Sequence, residues 1–472
     1  MGFKDLRSFI AKLEEEKQLV RYTDLVQPSP DIGRISRVIS NMGNNGPAVL
    51  FDNIAGYQGK KAVVGIHASW ANHALSFDLP KDTGIKEQFF AVNELWDKYP
   101  GEVTFVDNAP CQEVVIDENI NLYEILPLYR INHLDGGCYI GKASVVTSEP
   151  YDPDNLNATN VGTYRLQVQA EDTLGLQLGP FHDGGEHYAQ AEKEGIPLPV
   201  CICLGNDPLL SFMASTPIAY DQSEYLFASA MGGFTYELTH SLNDKLPIPA
   251  NCEYVLEGEI LPHIREMEGP FGEFPGTYSG TRHQLLVKIK KITHRIDPIF
   301  ESLYIGFPWT EADTLMAINT SVPLYKQLRV EYPQVAAVNA MYQHGSTVIV
   351  ATEQRMVGQA KSIAMRLAST PHGQIYARNI IMVDAQVDPF DLTQVMWALS
   401  TRARGDDDIN IVRGVPGIPI LPCVPSKGTD RKLIIDATTS LPPDDMRDNK
   451  VVWADPESDN WGKIIGRMQA EL

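Results

Sequence analysis

The sequence has few cysteines and no long apolar segment, and both absences exclude whole classes of protein. Six cysteines in 472 residues are too few for a disulfide scaffold, so we expect a reducing compartment. No apolar run approaches the roughly 20 residues that span a bilayer. The charges of Lys4, Asp5 and Arg7 interrupt the N-terminal stretch in which a secretory signal would be apolar. We therefore expect a soluble, cytoplasmic protein with no membrane partner.

Positive charge is scarce as well. The chain has 39 Lys and Arg residues against 60 Asp and Glu residues, which gives a formal net charge of -21 and a pI near 4.9. Nucleic-acid binding depends on clustered basic residues that neutralise phosphates, and this charge balance opposes it. Nucleic acid is therefore not an expected partner.

Several common catalytic fingerprints are missing too. The chain contains no G-x-G-x-x-G, no phosphate-binding P-loop, no H-E-x-x-H and no G-x-S-x-G. Ordinary dinucleotide-binding, nucleotide-hydrolysing, zinc-protease and serine-hydrolase functions therefore have no motif to support them.

The chain is long enough for two or three domains, and its local pattern changes twice. Residues 1–114 combine an amphipathic opening helix with short apolar runs, which predicts an α/β domain. Residues 115–315 contain strands separated by Gly, Pro, Asn and Asp, which predicts mostly antiparallel β structure, either a barrel or a sandwich. Residues 316–472 alternate strands with helices, which predicts a parallel α/β domain. The predicted fold class is therefore a mixed α/β and β multidomain protein.

The first candidate site is the segment Asn160-Val-Gly-Thr-Tyr-Arg165, where a short polar stretch leads into a strand. The guanidinium of Arg165 is a rigid fork of donors that suits a carboxylate or a phosphate. A turn followed by a surface arginine in a salt bridge is the simpler interpretation of this segment alone.

A second candidate combines Asn160 with His182 and Glu224. His182 lies at a turn before a predicted helix, and Glu224 lies at the start of another. An amide oxygen, an imidazole and a carboxylate together suit a hard or borderline divalent ion. Taken singly, His182 could be a solvated loop residue and Glu224 a charge that favours a helix N-terminus. The sequence alone does not bring the three together.

The third candidate is Glu268-Gly-Pro-Phe-Gly-Glu273, in which two carboxylates flank a tight turn. Such a turn could direct both carboxylates into one apolar pocket, where Glu273 would serve in proton transfer. A solvated hairpin tip is the alternative.

Taken together, these motifs resemble the UbiD family of prenylated-flavin decarboxylases in order and spacing. The resemblance rests on N-V-G-T-Y-R, the isolated His182, D-Q-S-E-Y, E-G-P-F-G-E and P-I-F-E-S-L-Y-I-G, and it extends over the whole chain. It is greatest to the large subunit of bacterial non-oxidative phenolic acid decarboxylases. It implies a central split β-barrel of flavin-reductase type in residues 115–315, with a C-terminal α/β domain that serves oligomerisation.

The resemblance also implies roles for individual residues. Arg165 and Glu268 would form an ion pair beside the flavin, and Glu273 would be the proton donor. Asn160, His182 and Glu224 would bind a divalent metal, Mn²⁺ or Mg²⁺, and a K⁺ ion is usual nearby. The implied contacts to prenylated FMN are Asn160, Val161, Gly162, Thr163, Tyr164, Arg165, Phe181, His182 and Glu224.

The function implied is reversible, non-oxidative decarboxylation of a phenolic acid such as 4-hydroxybenzoate, vanillate or protocatechuate through a covalent prenylated-FMN adduct. The implied partners are a flavin prenyltransferase of UbiX type as cofactor supplier, a homo-oligomer (dimer or hexamer) and, in some enzymes, a small accessory subunit. Three alternatives stay open: a heteroaromatic or acrylic acid substrate, a non-catalytic flavin-binding subunit, and a metal-dependent hydrolase that uses His182 and Glu224.

Overall fold

The computed structural model describes residues 2–307, 309–425, 428–439, 441, 464–465 and 467–468. Residues 316–439 of the predicted C-terminal domain are described almost completely, and most of its residues beyond 439 lie outside the described residues. Three sheets with their helices and one small sheet make up the described part of the chain. No helix in these residues combines the length and the apolar character needed to cross a bilayer.

The N-terminal unit is a four-stranded sheet covered by helices. Its sheet has the order β1-β2-β3-β16, in which β1 and β2 are parallel, β2 and β3 antiparallel, and β3 and β16 parallel. The helices are α1 (Leu6–Glu15), α2 (Gly33–Asn41), α3 (Trp70–Ser76) and α4 (Ile85–Trp96). The strands are β1 (Leu19–Tyr22), β2 (Ala48–Phe51), β3 (Lys61–Val64) and β16 (Ile299–Glu301).

The central unit is a large antiparallel sheet. In the described residues its strands follow the order β6-β9-β10-β15-β14-β11-β7-β8, and β5 pairs with the far end of β15. The strands are β5 (Val114–Ile116), β6 (Tyr139–Ile140), β7 (Ser144–Ser148), β8 (Thr159–Thr163), β9 (Leu166–Ala170), β10 (Thr173–Leu176), β11 (Leu198–Leu204), β14 (Tyr254–Glu268) and β15 (Arg282–His294). Because β6 and β8 are the two ends of this path, the curled sheet stays open along one side.

Smaller elements complete the central unit. A three-stranded sheet is formed by β4 (Val103–Phe105), β12 (Tyr236–His240) and β13 (Pro247–Pro249). The helices are α5 (Leu122–Ile125), α6 (Asp183–Glu194), α7 (Pro208–Met213) and α8 (Glu224–Gly232). Short helical turns cover Pro28–Ile32 and Gly43–Asn45 in the N-terminal unit, and Pro110–Gln112 and Leu156–Ala158 further along the chain.

The C-terminal unit is a five-stranded sheet of order β17-β18-β19-β21-β20. Its three middle strands are parallel, and both edge strands are antiparallel to their neighbours. The strands are β17 (Val335–Tyr342), β18 (Thr347–Thr352), β19 (Asn379–Asp384), β20 (Ile409–Pro416) and β21 (Thr429–Ala437). The helices are α9 (Glu311–Glu331), α10 (Gln359–Ala368), α11 (Pro371–Ile375) and α12 (Leu392–Arg402).

Helix α9 connects the central and C-terminal units and is buried along most of its length. Its apolar residues belong to the same core cluster as residues of α7, α8, β17 and β18. Thr310 and Asp313 form a capping box at its start, which satisfies backbone N–H groups that would otherwise have no partner. The backbone of Met316, the sixth residue of α9, departs from helical geometry, so the helix has a kink at this point.

The fold class predicted from the sequence is confirmed. The opening helix is α1, and the four apolar residues that predict it, Leu6, Phe9, Ile10 and Leu13, are all buried. Two details differ from the expectation. Strand β16 lies within a segment that resembles central β structure, but it pairs with β3 in the N-terminal sheet. The C-terminal sheet is parallel only in its middle.

Candidate active site

A pocket of about 380 Å³ lies between the open side of the central sheet and the C-terminal unit. That volume is in the range of small-molecule and cofactor sites. Among the predicted site residues, all but Glu268 line it, and Glu268 is completely buried behind Arg165. The predicted residues that line it are Asn160, Val161, Gly162, Thr163, Tyr164, Arg165, Phe181, His182, Glu224 and Glu273.

Arg165, Glu268 and Glu273 form one buried ion cluster, which we call the pocket cluster. The Nε and Nη2 atoms of Arg165 donate to the two carboxylate oxygens of Glu268 at 3.0 and 2.7 Å, and Nη1 donates to Glu273. Burial opposes the charge of the guanidinium, but the two carboxylates outweigh it and raise the pKa of Arg165. Arg165 is therefore a fixed cation with one carboxylate behind it and one facing the pocket.

The turn that carries both carboxylates is held from behind. Tyr139 donates to Glu268 at 2.9 Å, and the guanidinium of Arg165 lies 5.2 Å from the centre of the Phe271 ring. The backbone N–H of Gly272 donates to the buried carboxylate of Asp135 at 2.7 Å. The sequence-level alternative of a solvated hairpin tip is therefore wrong, because this turn is docked and buried.

Close packing at a glycine also fixes the turn. A Cβ atom on Gly136 would lie 2.2 Å from the carbonyl oxygen of Gly269, which no side chain can occupy. The backbone of the loop before β6 thus packs directly against the backbone of the turn.

Asn160, His182 and Glu224 reach the pocket from three different elements. Asn160 is on β8, His182 directly precedes α6, and Glu224 is the first residue of α8. Tyr164 contacts two of them, since its hydroxyl accepts from Asn160 Nδ2 at 3.4 Å and its ring centre lies 5.2 Å from that of His182. Local sequence places each residue at the end of an element, and the sheet curvature brings those ends together.

His182 and Glu224 each keep an atom suited to a cation. The Nδ1 atom of His182 accepts from the Gly179 N–H at 3.2 Å, which leaves Nε2 for a ligand, and burial lowers its pKa to about 4. Glu224 Oε2 is buried with no hydrogen-bond partner among the described residues. Burial, and then the nearby charge of Asp183, raises the pKa of Glu224 well above its usual range. A divalent cation would supply the opposite charge that this carboxylate lacks.

The donor set therefore fits a hard or borderline divalent ion. No cluster of three or more His, Cys, Asp and Glu side chains with a metal-binding arrangement occurs in the described part of the chain. The predicted site accordingly depends on the amide oxygen of Asn160 as its third ligand, and the assignment stays a prediction.

The C-terminal unit covers the pocket with residues that sequence reasoning missed. We call His344, His372 and Tyr376 the roof residues; all three line the pocket, and His372 stacks on Tyr376 with ring centres 4.5 Å apart. No sequence motif marks them, because they are isolated residues on a hairpin and a short helix. The apolar side chains of Leu303, Ile305, Ile418 and Ile420 line the pocket as well.

Family models match most of the chain. Residues 10–92, 104–308 and 313–437 match the N-terminal, Rift-related and C-terminal domains of 3-octaprenyl-4-hydroxybenzoate carboxy-lyase, UbiD. The chain belongs to the UbiD family. This confirms the resemblance found in the sequence, and it makes the protein a member of a carboxy-lyase family.

Similar UbiD proteins are known in sequence and structure. A phenolic acid decarboxylase from Sedimentibacter hydroxybenzoicus is 53% identical over 94% of this chain and 93% of its own length. The closed form of vanillic acid decarboxylase (ShVdcCD) from the same organism has a TM-score of 0.94 and 50% identity, covering 100% of this chain and 99% of that one. An evolved dimeric form of HmfF from Pelotomaculum thermopropionicum, in complex with prFMN, has a TM-score of 0.83 and 25% identity, with full coverage of both chains.

Proposed function

We propose that this chain is the catalytic subunit of a prenylated-FMN-dependent decarboxylase. Its reaction is the reversible, non-oxidative conversion of a phenolic acid such as 4-hydroxybenzoate, vanillate or protocatechuate to the phenol and CO2. The observation that carries the proposal is the buried pocket cluster, which presents Glu273 to a cavity of about 380 Å³. The relatives named phenolic acid and vanillic acid decarboxylases support the substrate class.

The residues that would hold the cofactor lie on the central sheet. Val161, Gly162 and Thr163 line the pocket beside Asn160, His182 and Glu224. The chain has a formal charge of -21, so a flavin phosphate needs a local cation to bind. A Mn²⁺ or Mg²⁺ ion on these three ligands would provide it.

Loss of CO2 from an aromatic ring carbon leaves an electron pair in the ring plane, where the π system cannot delocalise it. The bound cofactor supplies an electrophilic centre that accepts this electron density. What the chain supplies is position, charge and a proton. Arg165 places a fixed positive charge where the substrate carboxylate enters, and Glu268 keeps that guanidinium in one orientation.

Glu273 is proposed to deliver the proton that replaces CO2. It is largely buried, and its Oε2 accepts from the N–H of Phe274 at 3.2 Å while its other oxygen is held by Arg165. A carboxyl held in this way on the pocket wall is placed to reach a bound substrate, which general acid catalysis requires. In the reverse direction the same group would remove the proton.

Assembly and partners remain proposals. Exposed apolar side chains on α12 and β20, among them Met396, Ile411 and Val412, would suit a homo-oligomer that forms through the C-terminal unit. A flavin prenyltransferase is required to supply the cofactor. K⁺, a small accessory subunit and a cytoplasmic location stay predictions.

The test is to co-express the chain with a flavin prenyltransferase and purify it anaerobically. The absorbance spectrum, the bound-ligand mass and CO2 release from 4-hydroxybenzoate, vanillate, protocatechuate, pyrrole-2-carboxylate and cinnamate are then measured. Bound prenylated FMN with release from a phenolic acid supports the proposal. Release only from another acid keeps the chemistry and changes the substrate, whereas a folded protein without flavin contradicts the proposal.

A further inference from the structure

Two imidazole nitrogens in the pocket have no function in the scheme above. The Nε2 atoms of His344 and His372 are buried and make no hydrogen bond of normal geometry with the residues that the structure describes, and the His372 ring faces the backbone of His344. Both residues line the pocket. Buried polar atoms are nearly always paired, and one that is not calls for a ligand or a functional reason.

The backbone presents His344 in an unusual way. It lies in the turn between β17 and β18, where Gln343, His344 and Gly345 have φ angles of 46°, 57° and 79°. Two successive non-glycine residues in the left-handed region are uncommon and are held only by surrounding contacts. Here Gln343 Nε2 donates to the carbonyl oxygen of Phe274 at 3.2 Å, which docks the turn onto the central unit.

The docked turn places His344 against Phe274, the residue next to the proposed proton donor Glu273. The His344 ring stacks on that of Phe274 with ring centres 4.1 Å apart and planes at 31°. Phe274 directly follows Glu273 in the chain. The Phe274 ring therefore spans the distance between Glu273 and His344 along the pocket wall.

His372 reaches the same point from α11. Its ring stacks on Tyr376 at an interplanar angle of 14°, which fixes its orientation. A Cβ atom on Gly345 would lie 3.5 Å from His372 Nε2, so this nitrogen faces the turn that carries His344. The two unpaired nitrogens thus form one polar region of the pocket lining. The lining nearby also includes the apolar residues Ile375, Ile418 and Ile420.

The two sides of the pocket differ in charge. Arg165 supplies a permanent cation on the central side. Burial lowers the pKa of His344 to about 3, so the roof is neutral near pH 7. A neutral imidazole has one donor and one acceptor nitrogen, which suits a hydroxyl better than a carboxylate.

We propose that His344 and His372 bind the oxygen substituent on the ring of a phenolic substrate and so set the preference for phenolic acids. The proposal rests on the proposed function, because it takes an aromatic acid as the substrate. With the carboxylate-bearing carbon at Glu273 and Arg165, a benzoic acid lying along Phe274 brings its opposite edge to the two histidines. The hydroxyl then supplies the hydrogen bond that both nitrogens lack.

The test uses holoenzyme purified with prenylated FMN and two matched pairs of ligands. The kcat/KM ratio of 4-hydroxybenzoate to 4-methylbenzoate measures the hydroxyl preference in turnover, and the Kd ratio of toluene to phenol measures it in binding. The wild type is expected to favour each hydroxyl compound by roughly tenfold or more, because a buried site built for a hydroxyl rejects its absence. His344→Phe and His372→Phe should bring the Kd ratio to within about twofold of one and lower the kcat/KM ratio by a similar factor, since each keeps the stacked ring and removes the nitrogens. The rest of the kcat/KM ratio reflects electron donation by the hydroxyl to the reacting ring.

His344→Asn is a second variant at this position, because asparagine tolerates the left-handed backbone. His240→Phe is the control, since His240 also stacks on an aromatic ring, that of Phe105 at 4.5 Å, but does not line the pocket. Flavin occupancy should stay at the wild-type level in all four variants. A toluene to phenol Kd ratio that stays at the wild-type value in His344→Phe and His372→Phe overturns this proposal. A wild-type holoenzyme that releases CO2 from no phenolic acid contradicts the proposed function instead, and the phenol to toluene binding ratio still decides the role of the histidines.

Discussion

Two buried ion clusters in this molecule have similar composition and different surroundings. The pocket cluster sets Arg165 between Glu268 and Glu273. The second, which we call the junction cluster, sets Lys142 between Glu301 and Glu311, with Nζ to oxygen distances of 2.6 and 2.9 Å. His67 completes it, because Lys142 Nζ donates to His67 Nδ1 at 3.0 Å. All four residues of the junction cluster are almost fully buried, and none lines the pocket.

The junction cluster connects the three units of the fold. His67 follows β3, Lys142 follows β6, Glu301 ends β16, and Glu311 begins α9. Burial raises the pKa of Glu301 to about 6, against the opposing effect of Lys142. Burial acts on Glu311 as well, but Lys142, His67 and the backbone N–H of His67 outweigh it and lower its pKa to about 2. The carboxylate whose ionised form is favoured is thus Glu311, which receives the backbone N–H groups of Gly65 and His67 and so fixes the start of α9.

The comparison shows that a cation between two carboxylates is not by itself an active site. Arg165 engages Glu268 through a two-pronged contact, so its third carboxylate contact, to Glu273, can face a cavity. The ammonium of Lys142 is a single point of charge surrounded on all sides by its partners. One cluster should therefore control chemistry and the other stability, and each prediction below tests that division.

Removal of the proposed proton donor should have the largest effect. Glu273→Gln keeps shape and hydrogen bonding but supplies no proton, so turnover should fall by about 10³-fold or more while flavin still binds. Glu301→Gln in the junction cluster is the matched change, and its folded holoenzyme should keep nearly wild-type turnover. CO2 release by stopped assay and flavin absorbance measure both. Wild-type turnover in Glu273→Gln would refute the role.

A pocket variant outside the ion cluster should affect the cofactor instead. His182→Ala removes one proposed metal ligand, and because the metal supports the flavin phosphate, both should be lost together. Metal content by mass spectrometry and flavin absorbance of the purified protein are the measurements. His187→Ala is the control, since His187 lies one turn further along α6 and does not line the pocket. Full flavin occupancy in His182→Ala would contradict the assignment.

The junction cluster should respond to charge removal by unfolding more easily. Lys142→Met leaves two buried carboxylates without a cation, which should lower the free energy of unfolding by about 3–5 kcal/mol. Lys290→Met is the control, because Lys290 pairs with Glu259 at the surface, where an ion pair contributes about 0–1 kcal/mol. Denaturant unfolding curves measure both. An unchanged Lys142→Met midpoint would mean that the cluster does not stabilise the fold.

Sequence reasoning found the pocket cluster and missed the junction cluster for a physical reason. Glu268 and Glu273 lie in one short motif beside glycine and proline, so their proximity is local. Lys142, Glu301 and Glu311 are isolated residues that meet only after three units have packed together. The roof histidines were missed for the same reason, since His344 and His372 are brought together by the docking of a hairpin onto a helix.

The fold divides in the same way. The periodic apolar residues of α1 and the apolar run of β2 predict those elements, because a helix or strand depends on its own pattern. The choice of the strand with which a short strand pairs does not depend on that strand's own pattern. Strand β16 has only three residues, and its pairing with β3 is decided by tertiary packing rather than by its sequence.

The smallest predicted effect concerns pH and His67. Burial, and then the positive charge of Lys142, lowers its pKa to about 4 from a usual value of 6.5, so the folded state keeps it neutral. Below pH 6.5 the unfolded chain takes up a proton that the folded chain refuses, and stability is lost until the pH reaches about 4.

His67→Gln removes this proton uptake and keeps a polar side chain. Its stability relative to the wild type should therefore rise as the pH falls from 6.5 to 4, by at most about 1.4 kcal/mol per pH unit. Urea unfolding of both proteins across this range measures the difference, from which titrating groups distant from His67 cancel. A difference that does not change with pH would show that the folded protein protonates His67 as readily as the unfolded chain does, and that burial in the junction cluster does not lower its pKa.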